Sequence, residues 1–206
     1  MNWRQSVCVV FCLLSTVGTA RAGAIDRLQH FLDTTRTLRA DFAQTVVARN
    51  GRLPQKSSGV TMFSRPGKFR WQIDRPYSQL VVGDGEKISI HDPELRQVTV
   101  RKTGIALGGT PAALLAGDRT IDRDFSLREA GEQNGIEWLE ATPKAADSGF
   151  DKVRIGFSGN ELRAMELFDN LGQTTMLLFS RVEINPRLAP SLFRFTPPAN
   201  TDVIGD

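Results

Sequence analysis

The spacing of apolar residues changes near residue 38. Between Ala24 and Leu38 the apolar positions recur at near-helical spacing with charged residues between them, which predicts one amphipathic helix that needs a surface to cover. Beyond it, apolar and polar residues alternate, which predicts half-buried strands. The predicted strands are Leu38–Val46, Phe69–Ile73, Leu80–Val82, Ile88–His91, Val98–Arg101, Phe125–Leu127, Glu137–Thr142, Lys152–Phe157, Ala164–Phe168, Thr174–Ile184 and Phe193–Phe195.

Turn residues separate these strands at short intervals. Asp84-Gly85, Asn134-Gly135, Ser158-Gly159-Asn160 and Asn170-Leu171-Gly172 are typical of hairpins, and no long helical crossover lies between the strands. The pattern predicts a large curled antiparallel sheet or open barrel, with a few short helices against one side.

One glycine-rich segment interrupts the strand series. Thr110 to Gly117 reads as a short helix, with Thr110 as its cap, Pro111 in its first turn and Gly117 at its end. The preceding Gly104, Gly108 and Gly109 are consistent either with an ordinary linker or with a hinge that lets the helix move as a lid. A second short turn is expected at Ala189–Leu192.

The first 22 residues have the pattern of a cleavable secretory signal. A basic start, an apolar run from Val7 to Leu14 and the small residues Ala20-Arg21-Ala22 precede Gly23, and the apolar run is too short to span a bilayer. We therefore expect one mature, periplasmic domain over residues 23–206. Neither Cys8 nor Cys12 sits in a lipobox at the cleavage point, so a lipid anchor is not expected.

The composition argues against several kinds of functional site. Both cysteines lie in the expected signal, which leaves the mature chain without disulfides or cysteine ligands. Removing Arg4 and Arg21 from the 26 basic residues leaves 24 against 23 acidic ones, a balance that disfavours nucleic acid as a partner. His91, Asp92 and Glu94 could suggest a metal site, but Asp92-Pro93 is ordinary turn chemistry, so no metal and no cofactor are predicted. With no G-x-S-x-G motif, no enzyme activity is predicted either.

Phe69 and Trp71 alternate with Arg70 and Gln72, so both aromatic rings point to one face of a strand. Periodicity does not distinguish a filled core from the wall of a lipid cavity. For Arg65, just before Pro66-Gly67, a solvated turn residue is the default interpretation.

Several motifs together resemble the LolA family of outer-membrane lipoprotein carriers. They run in order along nearly the whole mature chain, and Thr110–Gly117 resembles the family's lid helix. The motifs are Arg65-Pro66-Gly67-Lys68-Phe69-Arg70-Trp71, Pro76, Asp84-Gly85, Asp92-Pro93-Glu94-Leu95-Arg96-Gln97-Val98-Thr99, Asp169-Asn170-Leu171-Gly172-Gln173-Thr174-Thr175 and Phe193-Arg194-Phe195-Thr196-Pro197-Pro198.

The resemblance implies an incomplete antiparallel β-barrel, lidded by short helices, that encloses an apolar cavity. It implies a monomeric carrier that accepts acylated lipoproteins released by an inner-membrane ABC transporter and passes them to an outer-membrane receptor of the LolB type. By motif match, Arg65 is the latch that bonds to the lid helix and holds the empty cavity closed, and Phe69 is a functional aromatic of the same strand. We expect the acyl-chain cavity to be lined by Phe69, by Trp71 on the same strand face, and by Leu114 and Leu115 of the lid helix. If the glycine-rich segment before this helix is a hinge and not a linker, Gly108 and Gly109 form it.

The chain departs from the family pattern after the Asp-Gly turn, where Ile88, Ser89, Ile90 and His91 replace the aromatics of many members. Three rival functions share the sequence features: a lipid-anchored receptor with the same fold, a periplasmic lipid or stress-signal sensor, and a lipid hydrolase. The missing lipobox cysteine argues against the receptor.

Overall fold

A computed structural model describes residues 23–49, 52–102, 115–116, 121–145 and 148–205. The chain begins with a helix, α1 (Ala24–Thr34), and continues into six strands. These are β1 (Thr37–Ala48), β2 (Gln55–Ser64), β3 (Lys68–Arg75), β4 (Gln79–Asp84), β5 (Lys87–Asp92) and β6 (Gln97–Lys102).

A one-turn helix, α2 (Ile121–Asp124), leads into five further strands, a 3₁₀ helix (Pro190–Phe193) and a last short strand. The strands are β7 (Phe125–Gln133), β8 (Ile136–Pro143), β9 (Phe150–Ser158), β10 (Glu161–Asp169), β11 (Gln173–Ile184) and β12 (Asp202–Gly205). No helix among the described residues is long and apolar enough to cross a membrane.

All twelve strands form one sheet, in the order β12-β6-β5-β4-β3-β2-β1-β11-β10-β9-β8-β7. Every pair is antiparallel except β12 and β6, which run parallel. Strands β7 and β12 are therefore the two edges of a sheet that does not close, which confirms the predicted open, mainly β architecture.

The core lies on the concave face of the sheet, against α1. Leu28, Phe31 and Leu32 of the helix are buried together with alternate residues of the strands, such as Leu38 and Phe42. The period-two pattern therefore predicted the buried face correctly, because a sheet covered on one side buries every second side chain.

Two predicted elements differ from the structure, and two observed strands were not predicted. The first helix ends at Thr34 rather than near Leu38, because the chain turns into β1 at Thr37. The predicted strand at Phe193–Phe195 is wrong: Phe193 ends the 3₁₀ helix, which Pro190 begins, and Arg194 and Phe195 are irregular. The prediction also lacked β2 and β12.

The C-terminal segment covers the outer face of the sheet. Phe193 is buried there beside β3 and β4, and the Phe195 ring lies 5.4 Å from that of His91. Arg70 donates a 3.5 Å hydrogen bond to the Leu192 carbonyl, and burial beneath this segment lowers the pKa of its guanidinium. The chain thus packs on both sides of strands β3–β5.

Candidate functional site

The concave face carries the two predicted cavity aromatics. Phe69 of β3 is fully buried and pairs in register with Gly83 of β4, while Trp71 is 7% exposed and pairs with Val81. Their common face follows from the two-residue period of a strand.

A close approach to glycine positions the Phe69 ring. A Cβ added at Gly83 would lie 2.4 Å from Phe69 Cε1, so the ring lies directly over the β4 backbone. The Trp71 ring instead stacks on Phe42 of β1, with centroids 4.0 Å apart and planes at 25°. Both rings are therefore held by packing in this closed arrangement.

Helix α1 closes over this face through its own aromatic. The Phe31 ring meets Phe63 of β2 and Phe157 of β9 edge to face, with centroids 6.2 Å and 6.0 Å away. The contacts join strands from both halves of the sheet, since β2 and β9 are separated by β1, β11 and β10. The helix lies against β7–β9, and its Phe31 ring reaches across the interior to the other half of the sheet.

Arg65 joins α1 to the 115–116 segment. Its Nη1 donates to the carbonyls of Leu32 at 3.0 Å and Thr35 at 2.9 Å, with a longer contact of 3.4 Å to Phe31. Its Nη2 donates to the Leu115 carbonyl at 2.8 Å. The last carbonyls of a helix have no partner within the helix, and a guanidinium with several donors can satisfy them while reaching a second segment.

The surroundings of Arg65 fix the direction of its side chain. Its guanidinium lies over the Phe31 and Phe63 rings, 5.1 Å and 4.9 Å from their centroids. Next to it, the N–H of Gly67 donates to the Ala116 carbonyl at 3.0 Å. Gly67 has a φ of +69°, a backbone conformation that favours glycine. Arg65 and Gly67, both in the turn between β2 and β3, therefore hold residues 115–116. Arg65 is no ordinary solvated turn residue.

Of the remaining predicted site residues, the structure describes Leu115, which is buried and helical. Leu114 of the predicted cavity and the predicted hinge glycines Gly108 and Gly109 lie outside the described residues, as does the rest of the predicted lid helix Thr110–Gly117 apart from residues 115–116.

Two anchors of α1 were not identified from the sequence. At the C-terminal end, Asn185 Oδ1 accepts from the Arg36 N–H at 2.7 Å, and its Nδ2 donates to the Thr34 carbonyl at 2.9 Å. At the N-terminal end, the Glu129 carboxylate accepts from the N–H groups of Ala24 and Ile25, at 3.0 Å and 2.9 Å. The Asn185-Pro186 pair at a strand end was a usable signal for the first anchor; for Glu129 there was none.

The acidic turn near His91 has a structural role. Asp92 Oδ1 accepts from the N–H groups of Glu94 and Leu95, both at 3.0 Å, which is the side-chain turn expected of Asp before Pro. Within the described part of the chain, no three His, Asp or Glu side chains are grouped as metal ligands.

Known proteins resemble this chain over nearly its whole length. The family described as "Outer membrane lipoprotein carrier protein LolA" matches residues 33–196. A protein of Dechloromonas aromatica named outer-membrane lipoprotein carrier protein is 58% identical over 100% of this chain and 99% of its own length. One of the same name from Nitrosospira multiformis is 49% identical, with 100% of both chains covered.

A solved structure shares the fold at low identity. An uncharacterized conserved protein from Thermus thermophilus superposes with a TM-score of 0.55 at 12% identity, over 88% of this chain and 96% of that one. At this identity the likeness concerns the fold alone.

Proposed function

The chain belongs to the LolA family of outer membrane lipoprotein carrier proteins, and we propose that it accepts acylated lipoproteins released from the inner membrane by an ABC transporter. It shields their acyl chains beneath α1 and the 115–116 segment and delivers them to an outer-membrane receptor of the LolB type. It works in the periplasm as a single domain that begins at Gly23, after removal of residues 1–22 as a signal peptide.

The energetics of the cargo call for such a carrier. Exposure of apolar surface costs about 0.8 kcal/mol per methylene, so one long acyl chain in water costs on the order of 10 kcal/mol. A cavity wall of aromatic and aliphatic side chains removes that cost. The concave face supplies such a wall, with Phe69 and Trp71 among its residues.

The observation that carries the proposal is the way the apolar interior is closed. One partly buried side chain, Arg65, bonds both α1 and residues 115–116. Hydrogen bonds of this kind hold a closed state, and water can replace them when the segments separate. The interior can therefore open without disrupting the strand ladders beneath it.

In this mechanism, α1 and the 115–116 segment move away from the sheet when acyl chains enter between Phe31 and the wall. Phe69 and Trp71 then contact the acyl chains. On release, the apolar helix face returns to the sheet and Arg65 re-forms its bonds. Closure thus competes with cargo for the same surface, which favours delivery once a receptor offers the chains another apolar site.

The test is loading from membranes. The chain from Gly23, added to inner membranes that contain the transporter and a triacylated lipoprotein, is expected to release a soluble complex of carrier and cargo. The matched control is the same cargo with its acylated cysteine replaced, which should give no complex. Complexes formed equally with both cargoes, or hydrolysis of the acyl esters during incubation, would contradict the proposal.

A further inference from the structure

The hairpin turns farthest from Arg65 share an unusual surface. Strand β1 leaves the Arg65 end at Thr37, so the turns after β1, β3, β5 and β10 all lie at the opposite end of the antiparallel sheet. Each of them carries one large apolar side chain that is exposed to solvent. These are Leu53 (89% exposed), Tyr77 (41%), Leu95 (69%) and Leu171 (91%).

Three of these turns, β1–β2, β3–β4 and β10–β11, adjoin one another and carry most of the Lys and Arg residues at this end of the sheet. We name this surface the basic rim. The β10–β11 and β1–β2 turns touch, because a Cβ added at Gly172 would lie 2.7 Å from Arg49 Cδ. Lys56 of β2 lines one shallow cleft with Arg75 and Pro76, where the β3–β4 turn begins. The basic rim consists of Arg49, Arg52, Leu53, Lys56, Arg75, Tyr77 and Leu171.

The rim has an excess of positive charge that the whole chain lacks. Its four cations face two carboxylates at the same turns, Asp74 and Asp169. Asp169 Oδ1 accepts from the Leu171 and Gln173 N–H groups, at 3.0 Å and 2.7 Å, and Asp74 Oδ1 accepts from the Gln72 side chain at 2.8 Å. These donors are neutral, so both carboxylates keep their charge and the three turns have a formal excess of two positive charges, while the chain after residue 22 has an excess of only one.

The spacing of the apolar tips favours a bilayer over a protein partner. Neighbouring turns are two strands, or about 10 Å, apart. The exposed apolar side chains at these turns are therefore separate, with cations between them, and do not form one contiguous apolar patch. Single apolar side chains among basic residues are suited to a lipid interface, where apolar groups enter the acyl boundary and cations meet headgroups.

We propose that the basic rim binds the surface of a phospholipid bilayer that contains anionic headgroups. Leu53, Leu171 and Tyr77 enter the interfacial layer, and the cations contact the headgroups. In this orientation the Arg65 end points away from the bilayer, free for a protein that gives or takes cargo. Only the biological setting of this contact rests on the proposed carrier function; the binding itself does not.

The test is flotation of the chain from Gly23 with vesicles of phosphatidylcholine, with or without phosphatidylglycerol. We expect binding only when phosphatidylglycerol is present, and weaker binding at higher salt. Leu53→Ser and Leu171→Ser should each lower the partition coefficient about tenfold, from the apolar surface withdrawn. The matched control is Leu178→Ser, since Leu178 is 60% exposed in the middle of β11, away from the rim; it should bind like wild type.

A second pair of variants tests the charge. Arg52→Gln with Lys56→Gln should weaken binding by about fivefold per cation, whereas Lys87→Gln with Lys102→Gln, two exposed cations paired at the other end of the sheet, should not. Absence of phosphatidylglycerol-dependent binding, or rim variants that bind like wild type, would overturn the proposal. So would binding that appears only when vesicles carry a membrane protein, because the rim would then be a protein-docking surface.

Uptake of a fluorescent fatty acid in lipid-free buffer separates the two proposals. Rim variants that keep this uptake but no longer float with vesicles support the basic rim, since their interior and fold are intact. A wild-type chain that floats but takes up no acyl probe would count against the carrier function and leave the rim standing.

Discussion

Replacing Arg65 with leucine removes the hydrogen bonds of the closed state and leaves the apolar wall in place. Leucine retains contact with the Phe31 and Phe63 rings but donates no hydrogen bond to the Leu32, Thr35 or Leu115 carbonyls. A variant of this kind tests whether closure drives release.

The size of the effect follows from the contacts. Three Arg65 bonds are 3.0 Å or shorter, and charge-assisted bonds contribute about 1.5–3 kcal/mol each at most. The guanidinium is only partly buried, and water satisfies the same carbonyls in the open state. A net loss of about 1–3 kcal/mol from the closed state remains, which shifts the equilibrium toward open by about 5- to 150-fold.

The assay has two steps, loading from inner membranes and then transfer to purified receptor. Arg65→Leu should load and then retain its cargo, because the open state no longer competes with a stable closed one. Arg65→Lys is the control: it keeps the charge, but a compact ammonium cannot reach both segments as the guanidinium fork does, so it should be intermediate. Normal onward transfer by a well-folded Arg65→Leu protein would refute this reasoning.

Three further predictions concern the supports of the site. Gly83→Ala should lower the free energy of unfolding by about 1–3 kcal/mol in urea titrations, because the new methyl displaces the Phe69 ring; an unchanged midpoint would contradict the close approach. Glu129→Gln should cost about 1 kcal/mol and speed amide exchange in the first turn of α1, and unaltered exchange there would count against the cap. Hydrogen bonds from Arg128 and Lys152 lower the pKa of Glu140 below its ordinary value. Its contribution to stability is therefore present at neutral pH and is lost as pH falls through that lowered pKa. The free energies of unfolding of wild type and Glu140→Gln should converge in acid, and a difference that stays constant with pH would argue against these hydrogen bonds.

Local periodicity predicted the elements whose burial follows from their own sequence. In β3, Phe69 and Trp71 are buried, while Arg70 and Gln72, which alternate with them, are only partly buried, as the two-residue period of a strand requires. Strand β2 was missed because its first half, Gln55 to Gly59, is polar. It is a strand because β1 and β3 on either side supply its hydrogen bonds, a tertiary cause that no local pattern contains.

The site was less accessible to sequence reasoning than the fold. Family resemblance singled out Arg65, but spacing alone indicated a solvated turn, because its partners lie 30 to 50 residues away along the chain. Glu129 shows the same limit, since more than a hundred residues separate it from the helix it caps. Contacts of this kind depend on how the sheet curls, and the curl is a property of all its strands together.

The two edges of the sheet determine how the interior can change in volume. In a closed barrel, strand number and shear set the diameter, so enlarging the interior requires breaking hydrogen bonds. Here β7 and β12 end the sheet without meeting, and a small change of twist at each ladder alters the curvature while every ladder bond is kept. An interior of this kind can change its volume without loss of strand pairing, so under the proposed carrier function one fold suits acyl chains of differing number and length.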